Sequence, residues 1–155
     1  MTDYCIDTSS LIAAWQELYP IENFPRLWGK IEELIKAKRL VSPVEVLHEI
    51  SKRSDDLHKW LKERGDMFRE LDEAVQIAGA KVLAQFPRLV GEKKLRTSAD
   101  PWVIAVASVE NLKVVTQEKP TGSVARPNIP DVCAAMNIQT MSLLHLIRAE
   151  KWVIG

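Results

Sequence analysis

The chain has 155 residues, 46% of them apolar and 27% charged, a length and balance that fit one folded domain over residues 1–155 and exclude extensive disorder. Lysine plus arginine match aspartate plus glutamate at 21 each, so no net field draws in a polyanion and any nucleic-acid affinity must sit in a local patch. No run of about 18 apolar residues occurs, and Met1 to Tyr4 show no basic segment leading into one, so the expectation is a cytoplasmic protein with no membrane span.

Tyr4-Cys5-Ile6 reads as a short strand ending at Asp7-Thr8-Ser9-Ser10, after which Leu11, Ile12, Ala14, Trp15 and Leu18 fall at helical spacing. Between Asn23 and Arg39, Leu27, Trp28, Ile31, Leu34 and Ile35 share one helical face, with Pro25 in the first turn. Leu40-Val41-Ser42 is expected as a second strand. Ser42 should then cap a helix opened by Pro43, which turns Val46, Leu47 and Ile50 inward, carries Glu49 and ends at Lys52-Arg53. Asp55-Asp56 opens a helix through Leu57, Trp60 and Leu61, and Asp72 opens another reaching Phe86, which predicts a helical insertion between the second and third strands.

Beyond the basic loop Glu92-Lys93-Lys94-Leu95-Arg96, the residues Thr97 to Pro101 offer several N-cap candidates before the apolar helical run Trp102 to Ala107, which puts Asp100 at or near the start of that helix. Lys113 to Thr116 is a third predicted strand, Lys119 to Pro127 a Pro/Gly-rich loop, and Pro130 to Met136 a short helix. Ile138 to Thr140 is a fourth strand, and Ser142 caps a last helix to Glu150. Strands alternating with helices imply right-handed βαβ units and a small parallel sheet covered on both faces, an α/β/α domain.

Ligands of open parallel sheets bind beyond the carboxyl ends of the strands, where loops converge and helices begin. Asp7 directly follows the first strand, Glu118 follows the third, and Asp100 begins the helix leading into it; Glu49 and Asp131 are helical candidates for the same zone. Carboxylates a few ångströms apart repel by about 1 kcal/mol per pair in water and roughly four times that inside protein, so such a group calls for a cation. Cys5 and Cys133 lack paired metal spacing and read as buried thiols, and His48, His58 and His145 are scattered, so oxygen must hold any metal. An all-oxygen set suits Mg²⁺ or Mn²⁺, and phosphodiester hydrolysis is the natural use.

Taken singly, each acid has a structural reading: Asp7 and Asp100 as helix caps, Glu49 as a solvated partner of Lys52 or Arg53, Glu118 as a surface residue and Asp131 as a helix start. Lys93, Lys94, Arg96, Lys119 and Arg126 are available to a phosphate backbone, while Trp15, Trp28, Trp60 and Trp102 lie at apolar helical spacings that favour packing over base stacking.

The ordered strings Ile6-Asp7-Thr8-Ser9, Val46-Leu47-His48-Glu49-Ile50, Ser98-Ala99-Asp100-Pro101-Trp102-Val103-Ile104-Ala105 and Val114-Val115-Thr116 resemble the motifs of PIN domains. With Lys119-Pro120 and Ile129-Pro130-Asp131-Val132-Cys133, the resemblance to a prokaryotic PIN-like subfamily spans nearly the whole chain. It implies a three-layer α/β/α domain and an Mg²⁺- or Mn²⁺-dependent endoribonuclease, the toxin of a toxin–antitoxin pair. RNA would be the substrate, and a cognate antitoxin and a second copy of the chain the partners. Asp7, Glu49 and Asp100 match the three usual acidic positions, and the fourth, usually Asp two residues after the strand-ending Thr, is Glu118 here, with Asp131 as substitute. The resemblance further implies that Asp7 and Asp100 hold the principal cation, that Glu49 orients the attacking water, and that Ser9 or Thr8 hydrogen-bonds a ligand carboxylate. The alternatives are a catalytically lapsed PIN scaffold that binds RNA or a protein, and phosphoryl transfer through an aspartyl phosphate. Ser9 argues against the second, since it stands where that chemistry usually places its second acid.

Overall fold

The computed structural model describes residues 2–89, 98–123 and 125–155. Five short runs, β1 (Tyr4–Ile6), β2 (Leu40–Pro43), β3 (Phe68–Arg69), β4 (Lys113–Val115) and β5 (Thr140–Met141), pair in parallel in the order β3-β2-β1-β4-β5. The chain adds strands outward from β1 in one direction, then returns to its other side with β4. The crevice between β1 and β4, at their carboxyl ends, is therefore the point where the strand order reverses.

The helices are α1 (Thr8–Ala13), extended by a π-helical stretch Ala14–Leu18, α2 (Pro25–Lys36), α3 (Val44–Ser51), α4 (Asp55–Lys62), α5 (Glu73–Gln85), α6 (Asp100–Glu110), α7 (Ile129–Ala135) and α8 (Leu143–Ala149). α6 is apolar almost all round because it is enclosed: Val103, Ile104, Ala105, Val106 and Ala107 are buried where it crosses β1, β2 and β4. α5 packs along it, and the fit depends on Gly79, since a Cβ there would fall 2.2 Å from a Trp102 ring atom. Trp15, Trp28 and Trp60 pack on one another, with ring centroids 5.0 Å apart for Trp15–Trp28 and 5.1 Å for Trp28–Trp60, so these tryptophans serve the interior as their spacing predicts. Cys5 and Cys133 are buried free thiols, and burial pushes both upward in pKa, Cys133 to about 12.

Three local expectations need correction. A fifth strand, β3, lies inside the segment read as purely helical; its two residues pair with Ser42 and Pro43 and are too few for a period-2 pattern to reveal. Ser42 does not cap α3: it lies within β2 and donates to the Ile6 carbonyl at 2.7 Å, leaving Pro43 at the cap position and Val44 as the first helical residue. The last strand begins at Thr140 rather than Ile138. Ser142 caps α8 as expected, α4 begins at Asp55 as expected with Ser54 as its cap, and Asp72 caps α5. The basic loop Glu92 to Arg96, and Thr97 as a cap candidate, lie outside the described residues.

Candidate active site

Asp7 leaves β1 at its carboxyl end and is 1% exposed. Its Oδ1 accepts from the Ser10 N–H at 2.8 Å, which caps α1, and its Oδ2 accepts from the hydroxyls of Ser9 at 2.8 Å and Thr116 at 2.6 Å. Burial pushes the carboxyl up to about 6; the donors from Thr116, Ser10 and Ser9 oppose the rise, and Glu118 adds to it by repulsion. Thr116 links the two acids of the crevice, since its Oγ1 donates to Asp7 and accepts the Glu118 N–H at 3.0 Å.

Glu49 sits on α3 but reaches across the crevice. Thr8 donates to its Oε1 at 2.5 Å, and the Ala99 N–H, just ahead of α6, donates to its Oε2 at 3.0 Å. One carboxylate thus ties the starts of α1 and α6, which brings Asp100 to the same place. Asp100 is the first residue of α6, its N–H donating to the Ser98 hydroxyl at 3.3 Å. The structural alternative for Glu49, a solvated pairing with Lys52 or Arg53, is not formed among the described residues.

A cleft of about 550 Å³ opens over these groups, lined by Thr8, Ser9, Glu45, His48, Glu49, Lys52, Arg53, Ser98, Asp100 and Glu118. Glu49, Asp100 and Glu118 line it, and Asp7 lies beneath, bonded to the lining Ser9. Glu118 also accepts from the Ile129 N–H at 3.0 Å. Asp131 stands apart from the cleft, at the start of α7. There it accepts from the N–H groups of Thr121, Gly122 and Asn128 and from the Thr121 hydroxyl, fastening the loop ahead of α7. Slight burial works against the shift, but these donors hold Asp131 below the ordinary carboxylate range.

Among the described residues, Asp7, Glu49 and Glu118 make no ion pair; every donor to them is a neutral hydroxyl or amide. Also among the described residues, no three His, Cys, Asp or Glu side chains already stand as a closed metal-ligand group. The donor set nonetheless suits a hard divalent cation, because it is all oxygen and mostly carboxylate, and among the described residues Asp7, Glu49 and Glu118 have no ion pair to offset their charge. Sequence reasoning overlooked that His48, Lys52 and Arg53 line the cleft, and the bridging role of Thr116; a Thr at the end of a strand was the one available signal for the latter.

A family profile describing a domain of unknown function (DUF4411) matches residues 4–154. None of the curated proteins matches the sequence. The fold is similar to a chain in the crystal structure of VapBC2 from Rickettsia felis bound to a DNA fragment from their promoter, with a TM-score of 0.53 and 12% identity over 91% of this chain and 98% of that one. It is equally similar to a chain of DNA-bound VapBC from Salmonella typhimurium, with a TM-score of 0.53 and 14% identity over 92% of this chain and 98% of that one. Likeness at these identities establishes the architecture, a PIN-like α/β domain with a central five-stranded parallel sheet. Among the described residues no helix is long and apolar enough to cross a membrane.

Proposed function

The chain belongs to the DUF4411 family, and from that starting point we propose that it is a divalent-cation-dependent endoribonuclease of PIN type, the toxin of a toxin–antitoxin pair. The observation that carries the reading is the meeting of Glu49, Asp100 and Glu118 around one cleft, above the buried Asp7, at the switch point of a parallel sheet. The likeness to chains of VapBC complexes supports the pairing with an antitoxin, which would cover the cleft with a Lys or Arg directed at the acids.

Asp7, Asp100 and Glu118 are the side chains that would hold the cation. When bound, Mg²⁺ or Mn²⁺ supplies charge neutralisation at the phosphate and a lower pKa for water. Ser9, Ser10 and Thr116 fix the Asp7 carboxylate, so its orientation is settled before substrate arrives. Glu49, held by Thr8 and Ala99, orients the attacking water and accepts its proton. Water adds to phosphorus as the bond to the 3′ oxygen breaks, giving a 5′-phosphate and a 3′-hydroxyl. Asp131 contributes by ordering the loop that leads to α7, leaving Glu118 as the fourth acid.

The test incubates purified protein with single-stranded and structured RNA in Mn²⁺ or Mg²⁺, with and without chelator, beside Asp100→Asn. Cleavage that requires the metal and falls about 10³-fold in the variant is expected, several kcal/mol of transition-state stabilisation. Full activity in chelator or in Asp100→Asn would exclude this chemistry. RNA binding without cleavage would favour the lapsed scaffold.

A further inference from the structure

Lys52, the C-cap of α3, and Arg53 just beyond it stand three and four residues after Glu49, the spacing at which an ion pair with it would ordinarily form. The fold commits Glu49 to Thr8 and Ala99 instead. Both cations still line the cleft that holds Glu49, Asp100 and Glu118, with His48 one turn earlier on the same helix. Among the described residues neither Lys52 nor Arg53 makes an ion pair or a side-chain hydrogen bond. Arg39, Arg64 and Arg69, by contrast, each hold a carboxylate.

Among the described residues the cleft thus has Glu49 and Glu118 without a cation on its acidic wall and Lys52 and Arg53 without an anion on its basic wall. A single ligand type satisfies both: a polyanion that shares divalent cations with the acids while a neighbouring charge meets the basic wall. Resting on the nuclease reading, we infer that Lys52 and Arg53 bind backbone phosphates of the RNA strand next to the one held over the acids. Arg53 presents a planar fork matched to phosphate oxygens and Lys52 a mobile point charge. They are positioning residues, acting on where the strand lies rather than on the reacting bond.

The experiment measures binding of a labelled single-stranded RNA by fluorescence anisotropy, in chelator and in the Asp100→Asn background so that the probe stays intact, across a range of salt. Each lost phosphate contact lowers the slope of log affinity against log salt by about 0.7 for a single strand, so K52A/R53A should lose about 1.4 and bind at least about tenfold more weakly. In the cleaving enzyme the same pair should raise KM far more than it lowers kcat. The exchange K52R/R53K, which keeps both charges, should retain the salt slope. A folded K52A/R53A protein, checked by circular dichroism, that binds RNA with unchanged affinity and slope would overturn the inference. So would an intact RNA slope together with lost binding of a protein partner, which would make the wall a docking surface. Binding that depends on Lys52 and Arg53 in a protein that cleaves nothing would defeat the nuclease reading and leave the phosphate anchor standing.

Discussion

The two ends of the sheet treat their carboxylates in opposite ways. At the amino end, Arg39 binds Asp3 through Nε at 2.6 Å and Glu150 through both terminal nitrogens at 2.8 and 2.7 Å, and Tyr4 donates to Glu150 at 2.5 Å. Arg39 holds Glu150 below the ordinary carboxylate range despite burial, so this cluster stabilises the folded chain by itself. At the carboxyl end, Asp7, Glu49 and Glu118 receive only neutral donors among the described residues, and burial drives Asp7 upward. The contrast separates a structural use of acids from one that leaves their charge available to a ligand.

The sharpest way to break that division is to exchange one residue at each end. Asp7→Asn should lower cleavage by about 10³-fold or more while the thermal midpoint holds or rises, because a buried carboxylate without a counter-ion costs the fold. Arg39→Ala should do the reverse, costing roughly 1–3 kcal/mol in urea unfolding and leaving cleavage per folded molecule intact. That range is reduced from the figure for a buried pair because the Arg39 side chain is 35% exposed. An unfolded Asp7→Asn, or a folded but inactive Arg39→Ala, would show that the ends are not distinct.

Gly79→Ala sharpens the comparison through packing. Its new methyl meets the Trp102 ring, so the helix that begins at Asp100 must shift; a cost of about 1–3 kcal/mol in stability and a fall in kcat are expected together. A stable Gly79→Ala with full activity would show that α6 tolerates displacement.

The smallest effect is at the amino end. Burial and then Glu150 push the Tyr4 phenol from 10.0 to about 12. A pKa raised on folding contributes stability that is fully present below the unfolded value and fades as pH rises from about 10 to about 12. Urea titrations across that window should show wild type losing stability more steeply than Tyr4→Phe. Parallel slopes would show that Tyr4 does not titrate with the fold.

Local order was legible in the residues because it is written within a few positions. Asp7, Asp72 and Ser142 each precede an apolar helical rhythm and each accepts an N–H three residues on, and the strand residues Tyr4–Ile6 and Val114–Val115 are unbroken apolar runs. The order of the acids was equally visible. β3 was not, since two residues carry no period, and neither was the bond of Ser42 to Ile6, which depends on a strand 36 positions away in sequence.

What the sequence determined by itself was an α/β chain with acids at the ends of its strands and starts of its helices. Only the tertiary structure decided which acids share a cleft and which cations stay unpaired. Glu49 turned from its near neighbours Lys52 and Arg53 to Thr8 and Ala99, and Asp131 to the loop before α7. Spacing along a helix fixes which groups can meet, but a carboxylate goes where packed backbone presents donors, and that is settled only when distant segments come together.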